Sequence, residues 1–96
     1  MITRYLVSYD IADPDRLRKV NAVVKATAQR VQDSVYEALL TEKELVLLEA
    51  RITKVMNQKE DQVMFIDLGR ADRTELPEIT ILGLPWRPQM RGSIVL

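Results

Sequence analysis

Residues 30–40 read RVQDSVYEALL, and whether they form one strand or two determines the architecture of the whole chain. Within them, apolar Val31, Val35 and Leu39 alternate with acidic Asp33 and Glu37, which is typical of a strand. The pattern alone predicts one strand. If the segment instead holds two strands around a tight turn, the chain acquires a ferredoxin-like βαββαβ order.

The segments before this stretch predict a strand followed by a helix. Residues 2–9 are rich in β-branched and aromatic side chains, which favour a strand. Asp13 is a suitable N-cap, and Pro14 suits the first helical position, where no amide donor is needed. The apolar residues that follow recur at helical spacing and predict a helix over 14–28. They are Leu17, Val20, Val24 and Ala28.

The segments after it predict a second helix and further strands. Thr41 and Glu44 form a capping-box pattern at the start of a helix over 42–57. Short apolar runs predict strands at 63–66 and 79–82, with a possible edge strand at 93–96. The whole is an α+β sandwich in one domain, with two helices on one antiparallel sheet and one or two extra C-terminal strands.

The composition excludes several kinds of catalytic site. The 96 residues contain no cysteine and no histidine, which rules out thiolate zinc sites, cysteine nucleophiles and the Ser-His-Asp triad. The available carboxylates suit hard cations such as magnesium or manganese. No run reaches the roughly 18 apolar residues of a membrane helix, and we expect a cytoplasmic protein without membrane contact.

Charge is unevenly distributed along a neutral chain. The chain has 14 acidic and 14 basic residues, yet residues 16–30 contain five cations and no acid. Such a segment can form a basic face for nucleic acid, or simply a solvated helix surface. Arg16, Arg18 and Arg30 are the candidate phosphate contacts, because a guanidinium matches phosphate geometry. Surface salt bridges are the alternative for all three, with acids at Asp13, Asp15 and Asp33 as possible partners.

Asp10 is the candidate catalytic and metal-binding residue. It stands where the first strand should end and a helix begin, and ligands gather at such edges in α/β layers. One carboxylate is a poor magnesium site, because the ion requires six oxygens in octahedral order. Two-fold symmetry would double the carboxylate and leave room for water and a phosphate oxygen. The alternative is that Asp10 only begins the turn into Asp13 and Pro14.

Three neighbours of these residues are candidates to line the same cleft. Tyr9 and Tyr36 could stack on a base or line the cleft, but packing in the core is the simpler interpretation of both. Ser34 could present its backbone or hydroxyl near a metal, or be a plain turn residue.

Several stretches together resemble the small CRISPR-associated spacer-acquisition family, the ferredoxin-like partner of the CRISPR integrase. They are Tyr9-Asp10-Ile11, the run DPDRLRKV at 13–20, the run RVQDSVYE at 30–37 and a Glu-Leu pair in the second helix. The resemblance covers residues 1–68 in order and spacing. One departure is Ala26-Thr27-Ala28-Gln29, where the family usually has an aromatic-glycine pair before the arginine that matches Arg30.

The resemblance implies a βαββαβ core over residues 1–68, with two strands within 30–40. It implies a homodimer in which a late strand near 79–82, within a dimerisation region at 69–96, joins the partner's sheet. The aspartate that matches Asp10 would face its symmetry mate and hold Mg²⁺ or Mn²⁺.

Three functions are compatible with these features. The first is a metal-dependent endonuclease that hydrolyses phosphodiester bonds of RNA or DNA in CRISPR adaptation. The second is a non-catalytic DNA-binding scaffold for the integrase subunit. The third is a toxin-like ribonuclease encoded outside a CRISPR locus.

Overall fold

The chain alternates strands and helices in the order expected for a ferredoxin-like fold. The structure is a computed structural model that describes residues 1–72 and 79–85. The elements are β1 (Ile2–Asp10), α1 (Pro14–Lys25), β2 (Gln29–Gln32), β3 (Val35–Thr41), α2 (Glu42–Val55) and β4 (Gln62–Arg70). Neither helix of the described residues has the length and apolar character that a membrane crossing requires.

The strands form one antiparallel sheet in the order β2-β3-β1-β4. β1 lies in the centre, between β3 and β4, and both helices pack on one face. This is the βαββαβ arrangement, so the predicted α+β ferredoxin-like sandwich is confirmed. The sheet order also brings the end of β1, the β2–β3 turn and the start of β4 to the same edge of the molecule.

The pattern alone predicts one strand over residues 30–40, which is wrong, and the two strands that the family resemblance implies are confirmed. The chain turns at Asp33 and Ser34, where Ser34 has a φ of 62°. Side chains in a strand alternate faces with a period of two. The alternating residues of the pattern all have odd numbers, so one strand would have placed apolar and acidic side chains on the same face. The turn divides the segment into β2 and β3 and leaves Asp33 exposed outside both strands, whereas Glu37 shares the helix-free face of β3 with Val35 and Leu39.

Local capping explains where the helices begin. The Asp13 carboxylate accepts a hydrogen bond from the Arg16 amide, with Pro14 in the first helical position. Thr41 and Glu44 form the predicted capping box, with donor–acceptor distances of 3.2 and 2.9 Å. Helix α1 ends at Lys25 rather than at residue 28, because the chain must turn into β2 at Gln29. Its C-cap, Ala26, keeps a right-handed φ of −65°, so the exit requires no glycine.

The core lies between the sheet and the two helices. Odd-numbered residues of β1 and even-numbered residues of β3 face the helices, because strand side chains alternate. The buried cluster consists of Val7, Tyr9, Val20, Val24, Tyr36, Ala38, Leu40, Leu48 and Ile52. The core therefore uses the apolar face that the helical spacing predicts for α1, together with Leu48 and Ile52 of α2.

The opposite face of the sheet carries Asp10 and a buried ion pair. Even-numbered residues of β1 lie on this helix-free face, which includes Arg4 and Asp10. Arg4 donates from Nη1 to Oε2 of Glu37 at 2.6 Å, and both residues are buried. On β4, Met64 and Ile66 occupy the same face and are 47% and 39% exposed. The helix-free face thus combines a buried charge pair with exposed apolar side chains.

The predicted strand at 79–82 is not a strand in the single chain. These residues are exposed and pair with no strand of the described residues. A strand requires a neighbouring ladder of hydrogen bonds, and this segment forms no ladder with any of the four strands of the described sheet. The predicted edge strand at 93–96 lies outside the described residues.

Candidate active site at the end of the first strand

Asp10 is the last residue of β1 and is exposed to solvent. It lies opposite Gln62 in the antiparallel pair with β4. Its carboxylate makes no hydrogen bond or ion pair with any described residue. No cluster of three or more potential metal ligands occurs within residues 1–72 and 79–85. Asp10 is thus not part of such a cluster among the described residues, and water, nucleic acid or a second copy of the chain could supply further ligands to an ion bound there.

The β2–β3 turn lies beside Asp10. The amide of Tyr9 donates to the carbonyl oxygen of Ser34 at 3.1 Å, which joins the turn to the end of β1. Ser34, Arg30 and Tyr36 help to line an open groove of about 640 Å³ beside α1, and Lys25 also lines it. The structure thus places these predicted site residues near the same edge of the sheet as Asp10.

The two tyrosines occupy the core at this edge. Tyr9 and Tyr36 are 5% and 6% exposed, and their rings stack with centroids 6.2 Å apart. The Tyr9 hydroxyl donates to Oδ1 of Asn21. Burial, with a smaller contribution from Tyr36, raises the pKa of Tyr9 above its usual value, so its hydroxyl stays protonated even in alkaline solution. Packing is therefore the role that the structure favours for Tyr9, and Tyr36 also borders the groove.

Arg18 and Arg30 form ion pairs that solvent reaches. Arg18 contacts Asp15 at 2.6 Å and Arg30 contacts Asp33, each three residues away along the chain. All four side chains are mostly exposed. Such pairs contribute about 0–1 kcal/mol, so a phosphate can replace either carboxylate at little cost. Both arginines remain available to nucleic acid.

Arg16 has a different environment. Its guanidinium binds Asp61, with 2.9 Å between Nε and Oδ2, and also binds Glu60. Neither acid is among the local partners that the sequence suggested for Arg16. Asp61 is 45 residues away along the chain, so no local pattern could have revealed the pair. The geometry makes Arg16 a less accessible phosphate contact than Arg18 or Arg30.

The Arg16–Asp61 pair predicts a specific loss of stability in acid. The hydrogen bond that Asp61 accepts from Arg16 is the main reason why the pKa of Asp61 lies well below its usual value. A carboxylate with a depressed folded-state pKa stabilises the protein fully above its unfolded-state pKa of about 3.9. That stability is lost as the pH falls below about 5 towards the folded-state pKa. We expect the urea midpoint of unfolding to fall in this range.

Asp61→Asn tests this assignment, because it removes the titrating group. The variant should be less stable at pH 7 and should show a smaller decrease in the urea midpoint between pH 6 and pH 3. Asp15→Asn is the matched control, since its ion pair is exposed, and it should keep the wild-type pH dependence. An unchanged pH dependence in Asp61→Asn would contradict the assignment.

The fold and the exposed strand-end carboxylate define a small ferredoxin-like protein with a candidate nucleic-acid site. The family model for CRISPR associated protein Cas2 matches residues 1–75. The chain is also similar to the CRISPR-associated endoribonuclease Cas2 1 of Rhodospirillum rubrum, with 35% identity over 92 residues that cover 96% of this chain and 89% of the relative. The chain belongs to the Cas2 family.

Solved structures agree with this assignment. The crystal structure of a hypothetical protein from Thermus thermophilus matches with a TM-score of 0.79 and 27% identity, and the match covers 93% of this chain and 100% of that one. The crystal structure of Streptococcus pyogenes Cas2 matches with a TM-score of 0.64 and 37% identity, over 69% of this chain and 86% of that one. The predicted family is therefore confirmed.

Proposed function

We propose that this protein is a metal-dependent endonuclease of CRISPR adaptation that acts in the cytoplasm as a homodimer. The observation that carries the proposal is the exposed Asp10 carboxylate, which no described residue engages, at the strand end of a Cas2-family chain. The names of relatives, including an endoribonuclease, support hydrolysis of phosphodiester bonds. The substrate class is RNA or DNA.

The Asp10 carboxylate fits a hard cation by its chemistry and its exposure. Oxygen ligands suit Mg²⁺ and Mn²⁺, and an exposed carboxylate leaves room for bound water and a phosphate oxygen. When bound, the ion would lower the pKa of a water molecule and stabilise charge on the phosphate. Asp10 from each copy would hold it. Arg18 and Arg30, whose ion pairs are exposed, would orient the nucleic-acid backbone.

A homodimer would supply the second carboxylate. Asp10 lies on the helix-free face of the sheet, together with the exposed apolar Met64 and Ile66. Exposed apolar surface of this kind often marks an interaction site. Residues 79–82 are also exposed, and three of the four are apolar. Pairing of this segment with the partner's sheet would provide the strand neighbour that the single chain lacks.

A scaffold that binds DNA for the integrase subunit is the second candidate. Arg18 and Arg30 can contact phosphates without any metal at Asp10, and this observation favours it. Val46 and Leu47 on α2 are 60% and 48% exposed and are candidate contacts with a protein partner. The scaffold function predicts that nucleic-acid binding persists when cleavage is absent.

Cleavage assays with the purified chain test the proposal. At least one of the two substrates, single-stranded RNA or double-stranded DNA, should be cut in Mg²⁺ or Mn²⁺, and EDTA should abolish that cleavage. Restoring excess Mg²⁺ after EDTA should restore the activity. Cleavage that continues in EDTA would contradict the metal-dependent mechanism. Binding of both substrates without any cleavage would favour the scaffold.

A further inference from the structure

Asp61 is a fully enclosed carboxylate directly before β4, with a side-chain exposure of 0%. Its Oδ1 accepts from the amide of Ala12 at 2.9 Å and from Nη2 of Arg16 at 3.2 Å. Its Oδ2 accepts from Nε of Arg16 at 2.9 Å and from the amide of Asn57 at 2.8 Å. A carboxylate has about four acceptor positions, so these bonds occupy Asp61 fully. It has no position left for a metal ion or a substrate.

These bonds join three segments around Asp10. Ala12 is two residues beyond Asp10 in the loop between β1 and α1. Gln62, the residue after Asp61, is the cross-strand partner of Asp10. Asn57 lies just after α2. Asp61 therefore ties the loop that follows Asp10 to the first turn of α1 and to the start of β4.

Arg16 belongs to this arrangement rather than to the exposed basic surface. Its guanidinium binds Asp61 through two nitrogens, and its Nη2 also donates to Glu60 at 2.9 Å. A phosphate that captured Arg16 would break both bonds from the guanidinium and leave the Asp61 carboxylate with its two backbone amides alone, which is less favourable than breaking an exposed ion pair. The exposed pairs of Arg18 and Arg30 carry no such penalty.

We infer that Asp61 and Arg16 are positioning residues that act as one unit to fix the loop that follows Asp10. The unit sets where the Asp10 carboxylate stands relative to that of the second copy. Its effect on metal affinity rests on the proposed function, whereas its effect on the loop does not. Outer residues that orient metal ligands typically change metal affinity or activity by about 10–100-fold when they are replaced.

Mn²⁺ binding by the full-length protein tests the unit, with free Mn²⁺ followed by electron paramagnetic resonance. Asp61→Asn and Arg16→Gln should each weaken binding by about tenfold or more. The double variant should bind no more weakly than the worse single variant, because residues that act as a unit are not additive. Arg51→Gln, which changes an exposed arginine on α2, is the matched control and should bind as the wild type does.

Amide exchange provides a readout that needs no metal. The Ala12 amide should exchange at least about tenfold faster in Asp61→Asn and in Arg16→Gln than in the wild type. Asparagine offers Ala12 only a neutral acceptor and has one oxygen fewer for Arg16 and Asn57, and Arg16→Gln removes the guanidinium that holds the carboxylate in place. A distant amide in α2 should change much less in both variants. If Asp61→Asn does not fold, Arg16→Gln supports the same two measurements.

The outcomes separate this inference from the proposed function. If the wild type binds no Mn²⁺, or if Asp10→Asn binds it unchanged, the proposed metal site is wrong, and the exchange of Ala12 still decides the role of the unit. Unchanged Ala12 exchange in the folded variants overturns the inference. It is also overturned if Arg16→Gln keeps its Mn²⁺ affinity while the slope of log DNA affinity against log salt falls by about one, as for a phosphate contact.

Discussion

Asp10→Asn should lower the rate of nucleic-acid cleavage by at least about a hundredfold, comparable to the loss of one preorganised electrostatic contact in other enzymes. Asparagine keeps the size and most of the shape of aspartate, but its amide oxygen is neutral. In a symmetric dimer, one substitution removes both carboxylates from the cleft. The measurement is the single-turnover rate on RNA and on DNA in saturating Mg²⁺.

Asp72→Asn is the matched control for this experiment. Asp72 is exposed and follows β4, at the opposite end of the sheet from Asp10, where it pairs with Arg70. The control should cleave at the wild-type rate. Cleavage by Asp10→Asn at the wild-type rate would show that Asp10 is not the metal ligand.

The same variant separates the nuclease from the scaffold in cells. If cleavage supports spacer acquisition, Asp10→Asn should abolish acquisition as well as the activity in solution. If the protein serves as a scaffold, acquisition should continue in Asp10→Asn. Charge reversal at both Arg18 and Arg30 should impair acquisition in either case, because both functions require contact with the nucleic-acid backbone.

Glu37→Ala should destabilise the protein by about 3–5 kcal/mol. Glu37 is fully buried and accepts a 2.6 Å hydrogen bond from Arg4. Alanine leaves the Arg4 guanidinium in the interior without this carboxylate, which is the costly way to break a buried ion pair. A small domain has only about 5–15 kcal/mol of total stability, so this variant should lie close to unfolding. Urea denaturation at fixed protein concentration measures the change.

A double variant distinguishes the ion pair from simple packing. Replacement of both Arg4 and Glu37 by methionine removes both charges. This double variant should regain most of the stability that Glu37→Ala loses, since apolar pairs often substitute well for buried ion pairs. Glu49→Ala on the exposed side of α2 is the control and should change stability by less than about 0.5 kcal/mol. A loss below about 1 kcal/mol in Glu37→Ala would contradict the buried pair.

Features set by neighbouring residues could be predicted from the sequence. The start of α1 at Asp13 and Pro14 and the capping box of Thr41 and Glu44 depend on contacts within four residues, and all are present. The position of Asp10 at a strand end is equally local, since an apolar β-branched run stops there. The residues that surround Asp10 in space, in contrast, come from distant parts of the sequence.

Features set by the register of distant strands could not be predicted in this way. Arg4 and Glu37 are 33 residues apart, and Arg16 and Asp61 are 45 apart. Each pair exists only because the sheet order brings β1 beside β3 and β4. The alternating pattern of residues 30–40 does not predict the turn at Ser34 for a different reason. A non-glycine residue with positive φ gives no clear signal in a sequence.

The strand predicted at 79–82 shows a third reason why a prediction from sequence differs from the structure. The segment is apolar enough for a strand, but strand formation also needs a partner that the described single chain does not provide. In the proposed dimer, the second copy would provide it. The preference of a segment for strand structure and its pairing in the single chain therefore differ where the neighbouring strand belongs to another subunit.

A crystal structure of the full chain grown with Mn²⁺ tests the central claim most directly. We predict a two-fold symmetric dimer with one Mn²⁺ between the two Asp10 carboxylates, visible as an anomalous peak on the symmetry axis. A monomer, or a dimer whose two Asp10 carboxylates lie too far apart to share an ion, would contradict it.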